Sequence, residues 1–296
     1  MEIIIHSPAK VNLLLRVVGR RADGYHEIRS VFQMISLKDT ITFAGNDSGM
    51  ITIACDNPSV PTGGGNLIIK AAEALRLRGG VYTVAKIELK KRIPVGAGLG
   101  GGSSNAAAAL IALNKLWGIN LPRETLFEIG ETIGADVPFF LGTSPVAWVE
   151  GTGEMVYPLT AAKKLPLLLV NPGFEISAAD AYKNSRFDFA PQPRDRRLID
   201  DISSGEPERA AARMSNDLQG WALGWFEKLR ELKEKMEASD PKPLKVMMSG
   251  SGPTLFAVYR DTETRDRAEA ALSGEAPFVA GAETLTSLWP KADTPA

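Results

Sequence analysis

The sequence predicts an α+β fold in two lobes, and three observations carry that prediction. Short segments rich in β-branched residues fill the chain from Met1 to Ala54 and return from Leu244 onward. Helical periodicity dominates the middle, and no internal repeat is present. Strands first, helices next and strands again is the order of an α+β protein rather than of alternating βαβ units. The boundary falls near residues 145–170, which divides the 296-residue chain into 1–155 and 156–296.

The first strands are Met1–His6, Lys10–Val18, Ile28–Leu37, Thr40–Ala44 and Met50–Ala54, with Asp23-Gly24 turning the second into the third as an antiparallel hairpin. On Lys10–Val18 a period of two places Val11, Leu13, Leu15 and Val17 on a core face. Lys10, Asn12, Leu14 and Arg16 share the opposite face. That face reads as solvated, or as a rigid platform from which an ammonium and an amide meet a phosphate or carboxylate.

Asn66 caps a helix carrying Leu67, Ala71, Ala74 and Leu75 on one side, and Gly79-Gly80 stops it. Val84–Ile93 is a strand. Ser103 opens a long helix with the stripe Ala106, Leu110, Leu113 and Trp117, and a second helix runs from Pro122 to Ile133. Asp136 then reads as the N-cap of Val137–Leu141, or as a carboxylate available for proton handling. Strands at Ala147–Val149 and Leu165–Val170 precede a helical stretch from Ser177 to about Met236, which Asp240-Pro-Lys-Pro punctuates. Strands Leu244–Met248 and Thr254–Tyr259 flank a glycine loop, and a helix from Thr262 and a strand near Glu283 follow.

Composition narrows the chemistry. With 34 basic against 35 acidic residues, the net charge of −1 provides no global attraction for nucleic acid or an anionic membrane. One cysteine, Cys55, and two histidines, His6 and His26, exclude a disulfide framework and a Cys- or His-based metal cluster. The longest apolar run, Ala106–Leu113, is far below the ~18 residues of a membrane span. The apolar stretch within Met1–Lys10 is too short for a secretory signal, so a cytoplasmic protein is expected.

The 28 glycines cluster, with five of them between Gly96 and Gly102. Pro94-Val-Gly-Ala-Gly-Leu-Gly-Gly-Gly-Ser103-Ser104 lies between a strand and a helix, where inward-turned amides and the helix dipole cradle phosphate oxygens. Ser104 is positioned in sequence to reach a bound Mg²⁺. The loop is not a Walker A motif, because no lysine lies between Arg92 and Lys115. It matches the spacing of a dinucleotide fingerprint, but the first acidic residue after it is Glu124, and the ribose-binding acid is missing. Lys90-Lys91-Arg92 reads as a solvated strand end, or as an attractor of a triphosphate. Tyr25 and His26 follow the hairpin turn, a place where a rigid scaffold presents binding groups.

Taken together, Pro8-Ala-Lys10-Val-Asn12-Leu, the glycine loop and Ser249-Gly-Ser-Gly-Pro-Thr254 resemble the three motifs of the galactokinase–homoserine kinase–mevalonate kinase–phosphomevalonate kinase (GHMP) superfamily. Arg20-Arg-Ala-Asp-Gly-Tyr25-His26 and Gly134-Ala-Asp136-Val-Pro138 are similar to the branch that acts on a cytidine diphosphate-linked methylerythritol. The resemblance spans residues 8 to 260 and implies a two-lobed α+β fold with the site in the cleft between lobes. It implies transfer of the ATP γ-phosphoryl group to the 2-hydroxyl of that substrate, in the non-mevalonate route to isoprenoid precursors. Asp136 would be the base and Lys10 its electrostatic partner.

By the same resemblance Asn66, Pro94, Val95, Gly96, Ala97, Gly98, Leu99, Gly100, Gly101, Gly102, Ser103 and Ser104 would hold ATP. Asn12, Tyr25, His26 and Tyr182 would hold the substrate, with Tyr25 and Tyr182 sandwiching the cytosine. The Ser249–Thr254 loop would close the phosphate site. Mg²⁺ is implied with ATP, without identifiable protein ligands, and the expected state is a monomer or homodimer. Another GHMP kinase of homoserine or mevalonate type, and a silent nucleotide sensor, are the competing readings. Tyr25 with His26 argues against the first, and retention of both Lys10 and Asp136 against the second.

Overall fold

Two long strands open the chain where four shorter ones are expected. A computed structural model describes residues 2–46, 49–160, 163–189, 194–204 and 206–287. β1 (Glu2–Arg20) and β2 (His26–Gly45) form one antiparallel hairpin, joined by the turn at Gly24. Pro8 and Asp39 do not end the strands: Ser7↔Asp39 and Pro8↔Lys38 continue the regular pairing up to a register shift. Pairing moves from Pro8↔Lys38 to Lys10↔Met34, so Ile35, Ser36 and Leu37 bulge out of β2. A second shift lies between Asn12 and Leu14. It interrupts the strict alternation, and Leu13 and Leu14 both enter the same buried cluster.

β2 is the spine of a seven-stranded sheet. β3 (Thr52–Cys55) and β4 (Ala85–Lys90) extend it beyond the distal half of β2, and β5 (Val146–Glu150) and β6 (Met155–Pro158) beyond the proximal half. On β4, Ala85, Ile87 and Leu89 are buried while Lys86, Glu88 and Lys90 are exposed, the alternation of a half-buried strand. Four helices cover one face: α1 (Leu67–Gly79), α2 (Gly101–Leu116), α3 (Arg123–Ile133) and α4 (Val137–Leu141). The alanine run Ala106–Ala109 of α2 is fully buried, so small side chains let this helix lie close against the sheet.

The second sheet has four strands in the order β11-β7-β10-β9, from β7 (Pro166–Asn171), β9 (Lys245–Met248), β10 (Leu255–Val258) and β11 (Phe278–Glu283). α5 (Ala178–Asn184), α8 (Gln219–Trp225), α9 (Glu227–Glu237) and α10 (Thr262–Leu272) contribute to the core on one side of it. The opposite side packs on the first sheet, with α6 (Arg196–Ser204) and α7 (Pro207–Arg213). The β2 bulge is the junction: Ile35 bridges Thr284, and the Leu285 amide donates to the Met34 carbonyl at 2.9 Å.

Among the described residues, the helical stretch expected from Ser177 to Met236 is instead five helices with a two-residue strand among them, β8 (Ser215–Asn216). Pro207 starts a new helix at its first turn, where its missing N–H costs nothing. β8 pairs in parallel with β1 at Leu14 and Leu15. Among the described residues, no helix is long and apolar enough to cross a membrane.

Candidate active site

β1 supplies the centre of the site from the face that the strand period suggests is solvated. Lys10 and Asn12 are buried, at 4% and 1% exposure. The glycine loop covers them: the Lys10 amide donates to the Leu99 carbonyl at 2.9 Å. The Lys10 ammonium lies 3.2 Å from Asp136 Oδ2, donates to Asn12 Oδ1 at 2.8 Å, and sits 4.1 Å from the centre of the Phe32 ring. Asn12 in turn donates to Ser30 Oγ at 2.9 Å. Asp136 occupies the N-cap position of α4, yet its side chain makes no capping hydrogen bond. It is turned toward Lys10 instead, partly open to solvent.

The glycine loop is shaped by positive φ at Gly96, Gly98 and Gly100. A Cβ on Gly98 would lie 2.2 Å from the Ser249 carbonyl oxygen, and one on Gly100 would lie 2.9 Å from Lys10 Cγ. Gly100 is also the N-cap of α2, which therefore begins two residues earlier than Ser103 and has no side-chain cap. The amides of that uncapped first turn border a cavity of about 430 Å³ that Pro94 to Ser103 line. Asn66 lines it too, while its side chain accepts from the Ile68 amide at 2.8 Å and caps α1 as expected.

Ser104 departs from expectation. Its hydroxyl is fully buried, 2.7 Å from Ser7 Oγ, and faces the sheet rather than the cavity. The helix turns by about 100° per residue, so Ser103 and Ser104 cannot share a face. Ser103 is the one on the cavity wall. Lys91 also departs from the solvated reading, since its side chain is 5% exposed and forms part of the same wall.

The motif Ser249–Thr254 braces the loop from the second lobe. Ser249 Oγ donates to the Gly98 carbonyl at 2.9 Å and the Thr254 amide to the Ala97 carbonyl at 3.3 Å. Ser251 reaches the cavity itself.

A second cavity, of about 770 Å³, opens beside the hairpin turn and is lined by Tyr25, His26, Tyr182 and Phe187 among others. His26 stacks on Tyr182 with ring centres 5.2 Å apart and 22° between planes, and Phe187 meets it edge-on at 5.3 Å. Tyr25 stands at the rim, 66% exposed. Partial burial, helped by the Arg20 guanidinium, lowers the His26 pKa below its ordinary value, so the imidazole is neutral at pH ~7 and offers one donor and one acceptor. Burial pushes the Tyr182 phenol upward, and the carboxylates of Asp136 and Asp217 add to the effect. Ala135, the chain neighbour of Asp136, lines this cavity. Ala178, at the start of α5, borders both cavities.

The sequence gives no sign of Phe187, Ser30 or Phe32 as parts of the site. Phe187 lies in an irregular segment with no periodicity to assign its face, and the other two sit on β2, 18 or more positions from the β1 residues they support. Among the described residues no group of three or more His, Cys, Asp or Glu side chains could hold a metal ion.

Comparison with known proteins agrees with this geometry. Residues 66–143 match the GHMP kinases N terminal domain and residues 202–277 the GHMP kinases C terminal domain. A 4-diphosphocytidyl-2-C-methyl-D-erythritol kinase of Pelobacter propionicus is 41% identical, covering 96% of this chain and 99% of its own. That of Pelotomaculum thermopropionicum is 40% identical over 89% of this chain and 91% of its own. A crystal structure of 4-(cytidine 5'-diphospho)-2C-methyl-D-erythritol kinase superposes with a TM-score of 0.80 at 34% identity, over 96% of this chain and 99% of that one. Homoserine kinase from Cytophaga hutchinsonii shares the fold, with a TM-score of 0.73 at 17% identity over 98% and 97% of the two chains. The chain belongs to the GHMP kinases and, within them, to the 4-diphosphocytidyl-2-C-methyl-D-erythritol kinase family.

Proposed function

We propose that this protein uses ATP to phosphorylate the 2-hydroxyl of 4-diphosphocytidyl-2-C-methyl-D-erythritol, giving the 2-phosphate and ADP in the non-mevalonate pathway to isoprenoid precursors. One observation carries the reading: the Lys10–Asp136 pair adjoins both cavities, since Lys10 bonds Leu99 of the glycine-rich wall and Asp136 follows Ala135 of the aromatic cavity. Such an arrangement suits a nucleotide triphosphate and an acceptor that carries a base.

In this mechanism the substrate hydroxyl lies against Asp136, which takes up or orients its proton as the oxygen attacks the γ-phosphorus. Lys10, fixed by Asn12 and the Phe32 face, stays in place for the charge that builds on the transferred group. The bond from the γ-phosphorus to the β–γ bridging oxygen breaks, and ADP leaves from the loop Pro94–Ser103. Tyr25 and Tyr182 hold the cytosine between them, and neutral His26 hydrogen-bonds its edge. A Mg²⁺ arriving with ATP would find Ser103 on the cavity wall as a protein oxygen donor. The metal would neutralise phosphate charge. The enzyme is expected in the cytoplasm, as a monomer or homodimer.

The test is ADP release by purified protein with Mg-ATP and, separately, the cytidine diphosphate-linked methylerythritol, homoserine and mevalonate. Release with the first acceptor alone is expected. Release only with homoserine or mevalonate would discard the cytosine pocket, and silence with all three despite ATP binding would favour a sensor.

A further inference from the structure

Behind the glycine loop lies a carboxylate that the reaction does not use. Asp39, on β2, is fully buried. Its Oδ1 accepts from the amides of Arg92 at 2.7 Å and Ile93 at 2.9 Å, where the chain enters the loop. Its Oδ2 accepts from the Lys91 ammonium at 2.7 Å and from Asn105 Nδ2 at 3.0 Å, on the second turn of α2. Four donors match the roughly four lone-pair positions of a carboxylate. Asn105 also donates to Ser7 Oγ at 2.9 Å, and Ser7 bonds Ser104.

We infer that Asp39 is the positioning residue of the nucleotide site: it fixes the start of the glycine loop, the second turn of α2 and the Lys91 ammonium relative to one another. This inference rests on the 430 Å³ cavity being the ATP site. Lys91 and Asn105 both line that cavity, so one buried charge governs two of its wall residues as well as the loop backbone. Without a carboxylate, an ammonium this deeply buried is costly and sheds its proton. Burial already lowers the Lys91 pKa, and Asp39 is the largest opposing influence. The other titratable groups acting on Lys91 are Cys55 and Asp56, at the end of β3. With Asp39 in place Lys91 keeps its ammonium, held by Asp39 and the Ile93 carbonyl, at the cavity wall.

The experiment is Asp39→Asn and Lys91→Met in the full chain, read by direct ATP binding and by KM for each substrate. Asp39→Asn keeps an acceptor for the two loop amides but removes the charge. Its Kd for ATP is expected to rise about tenfold, with KM for the cytidine substrate changed less than about twofold. Its ATP affinity should also fall about fivefold or more between pH 7 and pH 9, as Lys91 loses its proton, a steeper fall than in the wild type and one that Lys91→Met lacks. Equal effects on both substrates, or a lower melting temperature with unchanged ATP affinity, would overturn the role. Should Asp39→Asn not fold, Lys91→Met decides alone: unchanged ATP affinity there refutes the inference. Failure of the wild type to bind ATP would strike the reading of the cavity itself.

Discussion

At the scale of single residues, the site depends on side chains released from their local structural duties. Asp136 stands where a helix cap stands, but its carboxylate faces Lys10. Asp136→Asn is isosteric and keeps the hydrogen-bonding shape while removing the charge. Turnover should fall about 10²- to 10⁴-fold, with ATP affinity nearly unchanged. Single-turnover kinetics beside ATP titration checks this, and a loss under about tenfold refutes the base assignment. Tyr25 is 66% exposed, so Tyr25→Ala should leave the fold intact. Loss of one base-stacking face is worth ~1–3 kcal/mol, so KM for the cytidine substrate should rise about tenfold. An unchanged KM would remove the stacking role.

At the scale of elements, the glycine loop shows what its motif is for. Gly98 has φ +74° and its Cα approaches the Ser249 carbonyl too closely for any side chain. Gly98→Ala should therefore weaken ATP binding at least about tenfold and lower the melting temperature, because strain of ~1–2 kcal/mol adds to the clash. Gly102→Ala is the control for the melting temperature alone: its Cβ would meet only Leu67 Cδ1, at 3.4 Å, so the fold should tolerate it. Calorimetry on both variants makes the comparison. The loop, the Asn66 cap and the hairpin at Gly24 were all legible in the sequence, because each has a local signature in glycine, asparagine or a turn pair. The burial of Lys10 and Asn12 was not. Strand period tells which residues share a face, whereas what covers that face is decided by a loop some 90 positions away. Asp39 was illegible for the same reason, since its four donors come from distant parts of the chain. β6 and β8 are too short to show a period.

At the scale of the whole molecule, β8 joins the two lobes. Asn216 donates through Nδ2 to the carbonyls of Met248 and Gly250, both at 2.8 Å, and accepts the Leu218 amide at 2.9 Å. Asn216→Ala leaves those three buried partners unpaired, at a cost of ~1–3 kcal/mol each. Thermal melting should drop by several degrees, and ATP affinity should fall with it, because Gly250 adjoins the loop that carries Gly98. A lower melting temperature with unaltered ATP affinity would show that the brace and the phosphate site are independent.

β8 also sets an order of assembly. Val17 donates its amide to the Asp217 carboxylate, 200 positions along the chain, beside the pairing of Leu14 and Leu15 with Ser215 and Asn216. At ~5–20 residues per second, a ribosome delivers that partner roughly 10–40 s after β1. During this interval β1 has an open edge at Leu14 and Leu15, the kind that pairs with other chains. Released fragments that end before Ser215 should therefore aggregate more readily than fragments that end just past Asp217, because an edge made among the first residues stays open until β8 arrives.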